Sequence, residues 1–209
     1  TEKVESSKSP VKAIVINFPS NPTARICSKD FYQEIVTYAK KHDIIILSDL
    51  AYSEIYFHED DKPSSILEIE GAKDVAVEFT SMSKTFSMPG WRMGFAVGNE
   101  YLISALTRIK SYLDYGAFTP IQVASVTALK SDEKFIDDIR KVYKERRDIL
   151  VDSFSNAGWH IPPPKATMFA WSSIPEKYSY MTSLEFSKLL LEKADIAVSP
   201  GLGFGEFGE

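Results

Sequence analysis

Short apolar runs and longer amphipathic stretches alternate through the first half of the chain. Residues 11–18 (Val-Lys-Ala-Ile-Val-Ile-Asn-Phe) are β-branched and apolar, the pattern of a buried strand. The cluster Pro19-Ser20-Asn21-Pro22-Thr23 stops that strand in a turn. Ser28 is placed to cap a helix over residues 29–41, with Phe31, Ile35, Tyr38 and Ala39 on one face. Residues 44–48 read as the next buried strand, ending at Asp49, residues 74–79 as a third and 93–97 as a fourth. A strand–helix–strand order predicts an α/β fold with a mostly parallel sheet flanked by helices and right-handed crossovers. In that arrangement Asn21 and Asp49 fall just beyond the carboxyl ends of successive parallel strands, where such sheets bind ligands.

The second half is helical at first. Helices are expected over residues 100–112, over 119–129 with Thr119-Pro120 as N-cap and first helical residue, and over 132–156. The last carries Phe135, Ile139, Val142, Ile149 and Leu150 on one side, and Gly158 closes it. Pro162-Pro163-Pro164 marks a change of character. Beyond it come an expected strand over 167–172, a capping box at Thr182–Glu185 opening a helix to Ala194, and a short strand over 196–199. The division expected is a larger domain over residues 1–150 and the start of a smaller α+β domain over 151–209.

Composition narrows the class. The 209 residues are 44% hydrophobic and 25% charged, enough for a sizeable core and one or two domains. A net charge of −5 offers no polyanion-binding surface, so no nucleic-acid partner is expected. No apolar run approaches the ~20 residues of a membrane span. The one cysteine, Cys27, leaves no internal disulfide and fits a reducing cytoplasm. His42, His58 and His160 are scattered and offer no metal-ligand spacing. Thr1 to Pro10 is polar, like a surface connection; no initiator methionine is present and the chain stops at Gly-Glu-Phe-Gly-Glu. A fragment of a larger protein is the expectation.

The candidate chemistry lies in residues 80–98, Thr-Ser-Met-Ser-Lys-Thr-Phe-Ser-Met-Pro-Gly-Trp-Arg-Met-Gly-Phe-Ala-Val-Gly. Lys84 sits between two expected strands, at a sheet edge, walled by Met82, Phe86, Met88 and Trp91. An amine held there can attack a carbonyl and form a Schiff base. Ser81, Ser83 and Arg92 supply hydroxyls and a bidentate cation, which is what a phosphate requires. Lysine plus phosphate site is the pairing expected for pyridoxal phosphate. A lone Ser-x-Ser-Lys is more often a surface lysine in a serine-rich turn. The continuation Pro-Gly-Trp-Arg-x-Gly-Phe changes that balance.

This stretch resembles the lysine motif of class I/II aminotransferases, pyridoxal-phosphate enzymes of fold type I. The resemblance extends over essentially the whole chain and implies roles for single residues. Lys84 resembles the Schiff-base lysine that shuttles the substrate proton. Asp49 resembles the carboxylate paired with the pyridine nitrogen. Asn21, in Asn-Pro-Thr, and Tyr52, in Asp-x-Ala-Tyr, resemble the two donors to the cofactor's phenolic oxygen. Ser81, Ser83 and Arg92 resemble part of the phosphate cup. Ala24 departs from the glycine usual after Asn-Pro-Thr. The phosphate loop and stacking aromatic of the family's N-terminal half have no match here, and the arginine that clamps the substrate carboxylate is expected beyond Glu209.

The implied activity moves an amino group between an L-amino acid and a 2-oxo acid, in a homodimer with its active site at the subunit boundary. Residues 165–171, 183–186 and 199–208 look most like the alanine/glutamate-transaminating branch, with LL-diaminopimelate and aspartate aminotransferases as near neighbours. Two alternatives share the fold: a lyase similar to cystathionine β-lyase, and a regulatory domain that only binds the cofactor.

Overall fold

The structure is a computed structural model and describes residues 10–209. Four strands form one sheet among those residues: β1 (Ala13–Asn17), β2 (Ile45–Asp49), β3 (Ala76–Ser81) and β4 (Gly94–Gly98), in the spatial order β1-β2-β3-β4. The first three run parallel and β4 is antiparallel to β3. The mixed, mostly parallel α/β sheet is therefore as the sequence pattern suggests. Each strand is displaced by one or two residues from its expected bounds, because pairing and not hydropathy sets the ends. Asn17 pairs with Asp49 and Asp49 with Phe79, so the polar residues that end β1 and β2 lie level with one another.

Helix α1 (Lys29–His42) forms the β1–β2 crossover. The Ser28 hydroxyl accepts from the Phe31 N–H at 3.2 Å, the capping bond its position implies. Its core face is centred on Tyr32, Val36 and Ala39, one residue round from the expected stripe; Phe31, Ile35 and Tyr38 flank it half-buried. These side chains pack on Ile16, Ile44, Ile46, Ile66, Ala72 and Ala76, the core beneath one face of the sheet. Between β2 and β3 the chain makes short helical turns, one of them closed by a Ser65–Glu68 capping box.

Lys84 lies on a one-turn helix, α2 (Met82–Thr85), where a plain turn was expected. Helix α3 (Glu100–Leu113) is capped by the Asn99 side chain, which accepts from the N–H groups of Tyr101 and Leu102. In α4 (Thr119–Leu129) Thr119 is already helical and the cap position is Phe118, which makes no side-chain bond; the expected Thr119 cap is corrected by one residue. Helix α5 (Lys134–Asn156) ends before Gly158, whose φ of 84° a side chain would resist.

The described residues divide into two compact units. The first holds everything up to Asp148 together with Pro164–Ala170; the second holds Ile149–Pro163 and Trp171–Glu209. Residues 167–172 and 196–199, expected to be strands, are not strands. The only pairing near the former is an isolated antiparallel bridge between Tyr56 and Ala166. In the second unit α6 (Ser183–Ala194) carries the Thr182–Glu185 capping box and buries Phe186 against Trp159 and Tyr178.

Candidate active site

Asn21, Asp49, Tyr52, Ser81, Ser83, Lys84 and Arg92 all lie in the first unit, at or after the carboxyl ends of its strands. The turn after β1 is fastened from within the strand. Asn17 Oδ1 accepts from the Asn21 N–H at 2.8 Å, while Asn17 Nδ2 donates to the Asp49 carbonyl at 3.2 Å. Asn17 thus ties the Asn21 loop to the end of β2. Sequence reading passed over it, although an amide closing an otherwise apolar strand was a visible signal.

Asp49 keeps its carboxylate exposed, with Oδ1 accepting from the Ala51 N–H at 3.1 Å. That bond turns the chain and brings Tyr52 inward, where it is buried. Burial pushes the Tyr52 phenol above its ordinary pKa; a hydrogen bond with the Asn21 side chain opposes this, and the charge of Asp49 adds to it. Lys84 Nζ lies 5.8 Å from the centre of the Tyr52 ring, within range of a weak cation–π contact. The fold therefore groups Asn21, Asp49, Tyr52 and Lys84, which are spread over 64 residues of sequence.

Lys84 is half-buried, on a turn that Ser81 caps: the Ser81 hydroxyl oxygen accepts from the Ser83 N–H at 3.1 Å. The Met82 N–H reaches the Met93 carbonyl at 3.0 Å and closes the loop that carries the lysine. Met82 and Phe86 are buried, but Trp91 is 52% exposed, so the apolar wall expected around Lys84 is closed on one side only. Arg92 is exposed and left-handed (φ 51°), and its guanidinium donates to the Pro89 carbonyl at 2.9 Å. Serine hydroxyls and guanidinium are thus near in sequence without being bonded to one another. A separate cavity of about 290 Å³ opens beside Ser81, Met82, Phe86 and Phe95, and neither Lys84, Asp49 nor Tyr52 lines it.

The family model for "Aminotransferase class I and II" matches residues 1–208. The chain belongs to the class I and II aminotransferase family. Members of the family depend on pyridoxal phosphate. Among relatives, AatC of Rhizobium meliloti is 67% identical over 94% of the chain and 48% of its own length. Glutamate-pyruvate aminotransferase AlaC of Escherichia coli is 50% identical over 95% of the chain and 48% of its own length. The structure of apo-BacF from Bacillus subtilis superposes with a TM-score of 0.88 at 40% identity, covering 95% of the chain and 50% of that protein. The chain spans about half the length of the relatives it matches.

The donor set fits the family's cofactor. A primary amine, a carboxylate, a phenol and an amide converge around Tyr52, with hydroxyls and a guanidinium on the lysine loop. Groups of these kinds are what the carbonyl, ring nitrogen, ring oxygen and phosphate of pyridoxal phosphate require.

Proposed function

We propose that this chain carries the lysine-bearing part of an aminotransferase site that moves an amino group between an L-amino acid and a 2-oxo acid. The observation that carries the reading is the Lys84 amine set over the Tyr52 ring. Bound pyridoxal phosphate would supply the electron sink for the pair left on the substrate Cα when its C–H bond breaks.

The chain's own residues do the rest. Lys84 Nζ would hold the cofactor through its carbonyl, and as a free amine beside the substrate it would take the Cα proton and return it. Asp49, anchored through Ala51 and Asn17, keeps a proton on the ring nitrogen by its negative charge. Tyr52 and Asn21 would donate to the ring oxygen. The Ser81 oxygen already accepts from Ser83, which leaves its O–H free to donate to phosphate. Arg92 would exchange its neutral Pro89 carbonyl for a phosphate oxygen, a stronger charge-assisted partner.

The substrate reading is alanine and glutamate, supported by 50% identity to AlaC, itself named glutamate-pyruvate aminotransferase. An LL-diaminopimelate aminotransferase of Natranaerobius thermophilus, 46% identical, supports the second substrate to test. Neither the lyase nor the regulatory alternative is favoured by relatives so named. A homodimer is supported by the exposed apolar run Tyr112, Leu113, Tyr115 and Phe118 around the α3–α4 turn. A cytoplasmic setting is supported by the single free thiol. No described helix is long and apolar enough to cross a membrane.

The test is borohydride reduction of the complete, cofactor-loaded protein, followed by peptide mapping and by assay of alanine with 2-oxoglutarate. The phosphopyridoxyl group is expected on Lys84. Its appearance on another lysine, with Lys84 unmodified, would overturn the site.

A further inference from the structure

The segment Pro164–Ala170 follows the long helix α5, yet it belongs to the first unit. It is bound there along its length. Phe57 N–H donates to the Lys165 carbonyl at 3.2 Å, Ala166 bridges Tyr56, and Thr167 N–H donates to the Ile55 carbonyl at 2.8 Å. Lys165 Nζ also lies 2.9 Å from Asp61 Oδ1. All these partners follow Tyr52 within ten residues.

Thr167 has a conformation that its side chain resists. Its φ is 69°, left-handed, where a β-branched residue is a genuine outlier. It is 1% exposed, and its hydroxyl accepts from the Phe169 N–H at 3.1 Å. Strain of this kind persists only where surrounding contacts over-determine it, and it concentrates at functional sites. What the turn accomplishes is visible two residues on: the Phe169 ring meets the Tyr52 ring edge to face, 5.4 Å between centroids and 69° between planes. On the same Tyr52 ring sits the Lys84 amine.

We propose that Phe169, held by the left-handed Thr167 turn, is a positioning residue that fixes the Tyr52 ring so that its hydroxyl is presented to the cofactor. The inference rests on the reading of Tyr52 as a cofactor donor. A tyrosine ring swings about its Cα–Cβ bond and carries the hydroxyl with it; a second aromatic ring packed against it opposes that swing and keeps the hydroxyl on the side of Asn21. Phe169 acts through Tyr52.

The experiment uses the complete protein and pyridoxal phosphate. Two quantities are read for each variant: the dissociation constant of the cofactor and the pH midpoint of its visible absorption band. Phe169→Leu is expected to weaken binding about two- to tenfold, the worth of one aromatic pair, and to move the midpoint. Phe169→Tyr, which keeps the ring, is expected to restore both. Phe31→Leu, an aromatic core change in α1, is expected to lower thermal stability and leave both quantities alone. In a Tyr52→Phe background Phe169→Leu is expected to have no further effect, because the hydroxyl it positions is gone. An equal loss with and without that hydroxyl overturns the proposal, as does a loss of stability with binding and midpoint unchanged. Unchanged binding and midpoint in Tyr52→Phe alone would instead remove the reading of Tyr52 beneath it.

Discussion

Replacing Glu78 separates a buried carboxyl's hydrogen-bond role from its charge. Glu78 lies on β3, 3% exposed, and accepts from three donor groups. Ser65 Oγ donates to Oε1 at 2.6 Å; the Ile66 N–H and Ser48 Oγ donate to Oε2 at 3.0 and 3.3 Å. Ser48 and Ser65 bracket the excursion that carries Asp49 and Tyr52. Glu78→Ala strands the Ile66 N–H at about 1–3 kcal/mol and costs each serine a partner worth about 1 kcal/mol, together about 3–5 kcal/mol. For a domain of this size that is about 2–4 °C per kcal/mol, hence a midpoint about 6–20 °C lower. Glu78→Gln keeps an oxygen for Ile66 and Ser48 and turns its amide toward Ser65, whose hydroxyl can rotate to accept. Its expected cost is about 1 kcal/mol or less. Differential scanning of the complete, cofactor-free protein measures both. If glutamine costs as much as alanine, charge and not hydrogen bonding holds the turn; if alanine costs under 1 kcal/mol, Glu78 holds nothing.

Other outcomes follow from the same geometry. Asp49→Asn keeps the volume and the acceptor for Ala51 but removes the charge; turnover is expected to fall about 100-fold or more, the loss of an electrostatic contribution of ~3 kcal/mol, with the fold intact by circular dichroism, and a near-unchanged rate would move Asp49 away from the ring nitrogen. Glu68 is held below its ordinary pKa, chiefly by its hydrogen bond with Lys29 and then by the Ser65 N–H. A depressed carboxyl contributes stability above its unfolded pKa and loses it as pH falls through the folded one, so acid unfolding of Glu68→Gln should be flatter across that range than that of the unaltered protein; parallel curves would contradict this. The complete protein is expected to sediment as a dimer, and an active monomer would remove the role given to Tyr112, Tyr115 and Phe118.

The sheet was legible because its strands are apolar, β-branched and separated by turn residues, a pattern few other structures satisfy. Ser28 and Thr182 were legible as caps for the same local reason. What failed was set by distant partners. Residues 167–172 have strand-like composition, yet Thr167 bonds Ile55 and the preceding Lys165 bonds Phe57, and Thr167 stands in a left-handed turn that hydropathy does not register. The chain's division was drawn as one cut, whereas Pro164–Ala170 rejoins the first unit after the chain has left it. Lys84 and Asp49 were visible through motif and strand ends. Asn17 and Phe169 were not, because their place is set by distant partners: Asn17 bonds Asn21 and Asp49, and Phe169 packs on Tyr52.

The connection bearing Lys84 joins antiparallel neighbours, so its closure needs only nearby chain: Met82 meets Met93 eleven residues away. Asp49 reaches its level beside Phe79 only by parallel pairing across 30 residues. Loop-closure entropy makes the first contact quick and the second slow. During folding the lysine loop is therefore expected to close before Asp49 reaches its place beside Phe79. Pulsed hydrogen exchange on the refolding protein should protect the Met82 amide ahead of the Leu50 amide, which bonds the Phe79 carbonyl, and the reverse order would refute this sequence.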